Sequence, residues 1–79
     1  MSRRMGSLMG LTEVGDGSKV VISRIEGGRH ARKKLMDLGL IPGVPVTILR
    51  KAGRCPLLVS VMGRQVMIGY GMAQKVFVR

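Results

Sequence analysis

The sequence predicts a mainly β fold: a small closed barrel of about five strands carrying one short helix. Three observations carry that expectation. Turn signals recur every few residues, at Gly15-Asp16-Gly17, Gly27-Gly28, Pro42-Gly43, Ala52-Gly53, Met62-Gly63-Arg64 and Gly69-Tyr70-Gly71. The runs between them are short and rich in Val, Ile and Leu, as strands joined by tight turns are. Only one stretch, Ala31 to Leu38, has helical spacing instead. Short strands connected in this way can curl into a barrel, which removes their open edges.

Each element follows in order. Lys19 to Ile25 places Val20 and Ile22 on one face and Ile25 on the other, which requires a bulge or bend near Arg24. Ala31, Leu35 and Leu38 then stack at i, i+4 and i+7 on one stripe of a helix, with Arg29, Arg32, Lys33 and Lys34 filling the rest. Gly39 supplies a left-handed C-terminal cap and Pro42 prevents the helix from resuming. Ile41-Pro42-Gly43-Val44 has the proline and glycine of a type II turn. Val44 to Leu49 offers Val46 and Ile48 to the core, and Leu57 to Val61 offers Leu57, Val59 and Val61. Gly63-Arg64 fits a two-residue hairpin turn, after which Gln65 to Ile68 returns with Val66 and Ile68 inward. A short turn from Gly71 to Lys75 buries Ala73, and Val76 and Val78 alternate around Phe77 in a closing strand. Residues 1–10 read as a flexible N-terminal tail and 11–79 as the domain.

Composition bounds what such a domain can do. Seventy-nine residues at 46% hydrophobic build one small core, with enough branched aliphatics to offset the ordering entropy. A large enzyme pocket would open that only core. The 14 Lys and Arg against 4 Asp and Glu give a net charge of +10, and every carboxylate side chain precedes Leu38. From Leu38 onward the chain is purely basic, so its field attracts acidic protein faces, anionic lipid and nucleic acid alike. Cys55 is the single cysteine, which forbids an internal disulfide and suits a reducing compartment. The longest uncharged run, Leu38 to Leu49, contains Pro42 and Pro45 and falls short of the about 20 apolar residues that span a bilayer. No signal-peptide pattern precedes Glu13. These features predict a cytoplasmic protein without membrane insertion.

One set of motifs is specific. Ile22-Ser23-Arg24-Ile25-Glu26-Gly27-Gly28, then Lys34-Leu35-Met36-Asp37-Leu38-Gly39-Leu40-Ile41-Pro42-Gly43, with Pro56 to Val61, Ile68-Gly69-Tyr70-Gly71-Met72-Ala73 and Val76-Phe77-Val78 in the same order, resembles the ferrous iron transport protein A (FeoA) family. The block 35 to 43 is its most specific part, and the match runs from about Leu11 to Val78. The resemblance implies an SH3-like barrel that acts in ferrous iron uptake. It implies no enzymatic activity and no cofactor, only a cytosolic accessory that docks on the GTP-binding part of a membrane iron permease. The same residues also have plain structural tasks, since Leu35 and Leu38 fill a core, Gly39 caps and Pro42-Gly43 turns.

The candidate sites differ in their chemistry. The inventory of metal ligands is His30, Cys55, Asp37, Glu26, Glu13 and Asp16, none at the spacing of a metal motif. His30 opens the basic stretch Arg29 to Lys34, which opposes a cation. No metal site is therefore expected in a single chain, only weak transition metal ion binding, or a site shared between chains of a homo-oligomer. The Met residues suit gap filling and adaptable contact better than thioether ligation of iron. No nucleophile has an evident base, and Gly27-Gly28 lacks the spacing of a phosphate-binding loop. Nucleic-acid binding by a basic SH3-like module is the alternative, but only Tyr70 and Phe77 could stack on bases. The expected partner-binding residues are Arg29, Arg32, Lys33 and Met36 on the helix and Met67 and Tyr70 near the last hairpin.

Overall fold

A computed structural model describes residues 9–79. Along the chain come β1 (Met9–Gly10), a one-turn 3-10 helix (Leu11–Glu13), β2 (Lys19–Ile25), α1 (Arg29–Asp37) and β3 (Pro45–Arg50). They are followed by β4 (Leu57–Val61), β5 (Arg64–Ile68), α2 (Tyr70–Ala73) and β6 (Val76–Val78). All pairings are antiparallel, in the order β1-β6-β2-β3-β4-β5. The sheet curls without closing, with β1 and β5 at its two ends.

The curl originates in β2. Lys19, Val20 and Val21 pair with β3, whereas Ile22, Arg24 and Ile25 pair with β6 across a register shift between Ile22 and Arg24. That is the bulge expected near Arg24. It lets one strand serve two sheets, because an extra residue sharpens the local twist. The expected tail, 1–10, lies outside the described residues except for its last two, Met9 and Gly10, which pair with Val78 and Phe77. Neither this strand nor the 3-10 turn was anticipated from the pattern, yet Leu11 of that turn is fully buried.

The helix ends as its sequence dictates. Gly39, at φ +93°, carries the chain into the left-handed region. Its N–H donates to the Met36 carbonyl at 2.9 Å, and the Leu40 N–H donates to the Leu35 carbonyl at 3.0 Å. Those two bonds make a Schellman motif, whose hydrophobic clasp joins the residues at its ends. Here the clasp is Leu35 against Leu40, both with no solvent exposure. The Pro42-Gly43 turn closes with a 3.0 Å bond from the Val44 N–H to the Ile41 carbonyl. The helix starts at Arg29 and not at Ala31, so the basic residues before the apolar stripe are part of it.

One turn departs from the expected register. The β4–β5 hairpin turns on Met62 and Gly63, not on Gly63 and Arg64, with φ of +51° and +77° and Val61 opposite Arg64. Two consecutive positive φ values define a type I′ turn, whose twist matches that of the flanking strands. Arg64 thereby joins β5. Beneath the sheet lies a core of Leu, Ile, Val and Ala with no buried polar or charged residue among those described. Its inward positions are the expected ones: Val46 and Ile48; Leu57, Val59 and Val61; Val66 and Ile68; Val76 and Val78. Each large side chain contributes about 1.5–3 kcal/mol by leaving water.

Candidate functional site

Helix α1 is held by one fully buried residue, Leu35, so most of its circumference faces water. Arg29, Arg32 and Met36 fall at i, i+3 and i+7 along one ridge. With Gly27, Lys33 and Asp37 they line an open groove of ≈ 530 Å³. Met36 is half exposed there, although a methionine thioether gains from burial. Lys33 is partly engaged, its Nζ donating to Asp37 Oδ2 at 3.4 Å. Arg29 and Arg32 meet no carboxylate among the described residues. The groove therefore presents two unpaired guanidinium forks beside an apolar side chain. That combination is suited to a surface offering carboxylates around a hydrophobic contact.

Gly27, at the edge of this groove, is closely packed on its other side. Gly27 sits at φ +106°, and a Cβ there would lie 2.9 Å from Lys75 Cδ. The Lys75 stem thus crosses the glycine at a distance only a missing side chain allows.

A second groove, of ≈ 240 Å³, runs along the other flank of α1. Lys34, Leu35 and Leu38 form one wall, and Met67, Ile68, Gly69 and Met72 the other. The six residues expected to bind a partner are therefore divided. Arg29, Arg32, Lys33 and Met36 share the first groove. Met67, 63% exposed, borders the second. Tyr70 lines neither, because as the first residue of α2 it packs on the core. Leu38, which reads as a core residue, and Met72, which reads as a gap filler or adaptable contact, are partly buried against the core and also line the second groove. Only their positions in space, across more than half the domain, could reveal it.

The metal-ligand inventory is dispersed. Among the described residues no three of His, Cys, Asp and Glu come together in a way that could hold a metal ion. Three of the carboxylates have other occupations: Glu13 Oε1 accepts from the Gly10 N–H at 3.1 Å, Glu26 pairs with Arg24 at 2.7 Å and Asp37 bonds to Lys33. His30 is exposed on the first turn of α1. Cys55 is a free, exposed thiol in the β3–β4 loop.

A family model described as the FeoA domain matches residues 9–79. The chain belongs to the FeoA family. A crystal structure of an iron uptake regulatory protein, FeoA, is 38% identical and superimposes with a TM-score of 0.88, covering 92% of this chain and 97% of that one. A curated protein of Methanocaldococcus jannaschii, provisionally named Fe(2+) transport protein A, is 29% identical over 63 residues, 80% of this chain and 76% of its own. The zinc complex of Stenotrophomonas maltophilia FeoA, described as a prokaryotic SH3 domain protein, is 24% identical with a TM-score of 0.77 over 90% of this chain and 89% of that one. The fold is thus the SH3-like one the motifs implied, with six strands where about five were expected. FeoA membership ties the protein to ferrous iron transport, in a family of transport accessories. Among the described residues no helix is long and apolar enough to cross a membrane.

Proposed function

We propose that this FeoA domain is a cytoplasmic, non-enzymatic accessory that docks on the cytosolic GTP-binding part of a membrane ferrous iron permease and modulates transport. Ferrous iron is the cargo of that system and the domain supplies a contact surface. The observation that carries this reading is the first groove, where Arg29 and Arg32 stand unpaired beside the exposed Met36. Ordering two guanidinium groups on a protein's carboxylates while covering a methionine gives both specificity and desolvation. The second groove, with Met67, adds adaptable apolar contact.

Binding of the permease's GTP-binding domain, followed by calorimetry, tests the proposal. Arg32→Glu should weaken the complex by about thirtyfold or more, as loss of a central interface arginine does, with the melting temperature unchanged. Absence of binding by the wild-type protein refutes docking. Specific nucleic-acid binding at physiological salt, without permease contact, would favour the alternative of a basic nucleic-acid module.

A further inference from the structure

The outer face of the sheet carries a second pattern, remote from α1 in sequence and composed differently. Register places Leu58 of β4 directly opposite Met67 of β5, and the shift between Ile48 and Arg50 sets Leu49 and Arg50 together against Leu58. Leu49 is 39% and Met67 63% exposed. An aliphatic row therefore crosses three strands on the side away from the core, bounded by Arg50 at one end and by Lys34, which shares a groove with Met67, at the other. Beside it runs a row of Lys19, Thr47, Ser60 and Gln65, again paired strand to strand. Neither row contains a carboxylate. The β3–β4 loop continues the basic character with exposed Arg54.

We propose that this face rests on an anionic lipid surface. Leu49, Leu58 and Met67 then lie at headgroup level, and Lys19, Arg50 and Arg54 meet the lipid phosphates. Peripheral binding of this kind needs buried apolar area together with cations in its border, neither of which suffices alone. The outer face of a curled sheet is convex and offers such a border to a planar partner. A second copy of the chain is disfavoured because it would bring like charges together. Nucleic acid is disfavoured because the row is aliphatic, and both aromatic residues are elsewhere: Tyr70 packs on the core and Phe77 lies under Arg24, whose Cζ is 5.7 Å from its ring centroid. The contact leaves the ridge of Arg29, Arg32 and Met36 free, so it does not depend on permease docking at the first groove; the two contacts share only the edge of the second groove, at Met67.

The chain has no tryptophan, so a single one reports its own surroundings. The probes are vesicles of mixed phosphatidylglycerol and phosphatidylcholine, compared with pure phosphatidylcholine, at physiological ionic strength. Met67→Trp emission should shift to the blue and saturate on the anionic vesicles only, whereas Met36→Trp, on α1, should not shift. In co-sedimentation, Lys19→Glu with Arg50→Glu should weaken binding by about thirtyfold, at about 1 kcal/mol per cation removed. Arg29→Glu with Arg32→Glu, an equal change of charge, should leave it near the wild-type value. Equal losses in the two double variants would reduce the effect to net charge and overturn the proposal. So would a blue shift at Met36→Trp without one at Met67→Trp, no sedimentation of the wild-type protein, or nucleic acid binding through this face without vesicle binding.

Discussion

Residues 9–37 and 38–79 are held together by different means. The first stretch contains all four carboxylates, and both salt bridges of the described residues lie within it, Arg24 to Glu26 and Lys33 to Asp37. The second is dominated by the β3–β4–β5 meander and has no carboxylate side chain at all. Its ladders and its aliphatic core hold it without any ion pair. Ion pairing is therefore dispensable for this half of the fold; Lys51 Nζ donates to the Thr12 carbonyl at 2.7 Å, and the exposed Arg50, Arg54 and Arg64 meet no carboxylate among the described residues. The helix shows the converse. It has one fully buried side chain, so it depends on a narrow contact with the core and presents the rest to partners.

Three substitutions probe that contrast. Leu35→Ala should have the largest effect, about 2–5 kcal/mol, a large part of a small domain's stability. Because Leu35 is the only fully buried residue of α1, hydrogen exchange should quicken most for the α1 amides and least for β4. Equal loosening of both would mean that the two regions form one cooperative unit. Gly39→Ala comes next, at about 1–2 kcal/mol, since it forces an L-residue to φ +93° with Met62 Cε 3.3 Å from the new methyl. A thermal melt measures the loss, and an unchanged midpoint would show that the Schellman clasp reforms in another way. Lys33→Ala should be the smallest, below about 0.5 kcal/mol, because both partners of its ion pair are largely exposed. A larger loss by denaturant titration would show that residues 9–37, unlike 38–79, depend on ion pairing.

The contrast also explains what was legible in the sequence. Strands β4 to β6, and β3 as far as the register shift after Ile48, alternate between core and solvent, so Val46, Ile48, Leu57, Val59, Val61, Val66 and Ile68 could be placed inward from spacing alone. Gly39 and Pro42-Gly43 announced their turns because few residues adopt those conformations. Met62-Gly63 was shifted by one residue because methionine rarely takes a positive φ, and nothing local distinguishes it there from a strand end. β1, two residues long, has no period to read, and its pairing with β6 is a long-range fact. The candidate site was half visible for the same reason. A ridge on one helix follows from helical spacing, but the second groove joins 34–38 to 67–72, which no pattern along the chain connects. Tyr70, which reads as an interface aromatic, is partly buried against the core and lines neither groove.

The position of β6 has a consequence for how the chain acquires its structure. Val76 to Val78 lie between β1 and β2, pairing with Met9 and Gly10 on one side and with Ile22 to Ile25 on the other. Two early segments thus wait for one late segment, and contacts of such long sequence separation slow folding relative to local ones. During synthesis the meander can form as soon as Ile68 has emerged, while the outer half of β2 keeps open backbone donors and acceptors until Val76 appears. A nascent chain paused in that interval exposes an unpaired strand edge, the feature through which β proteins associate wrongly. Completion of the sheet is therefore a late event in the life of the chain.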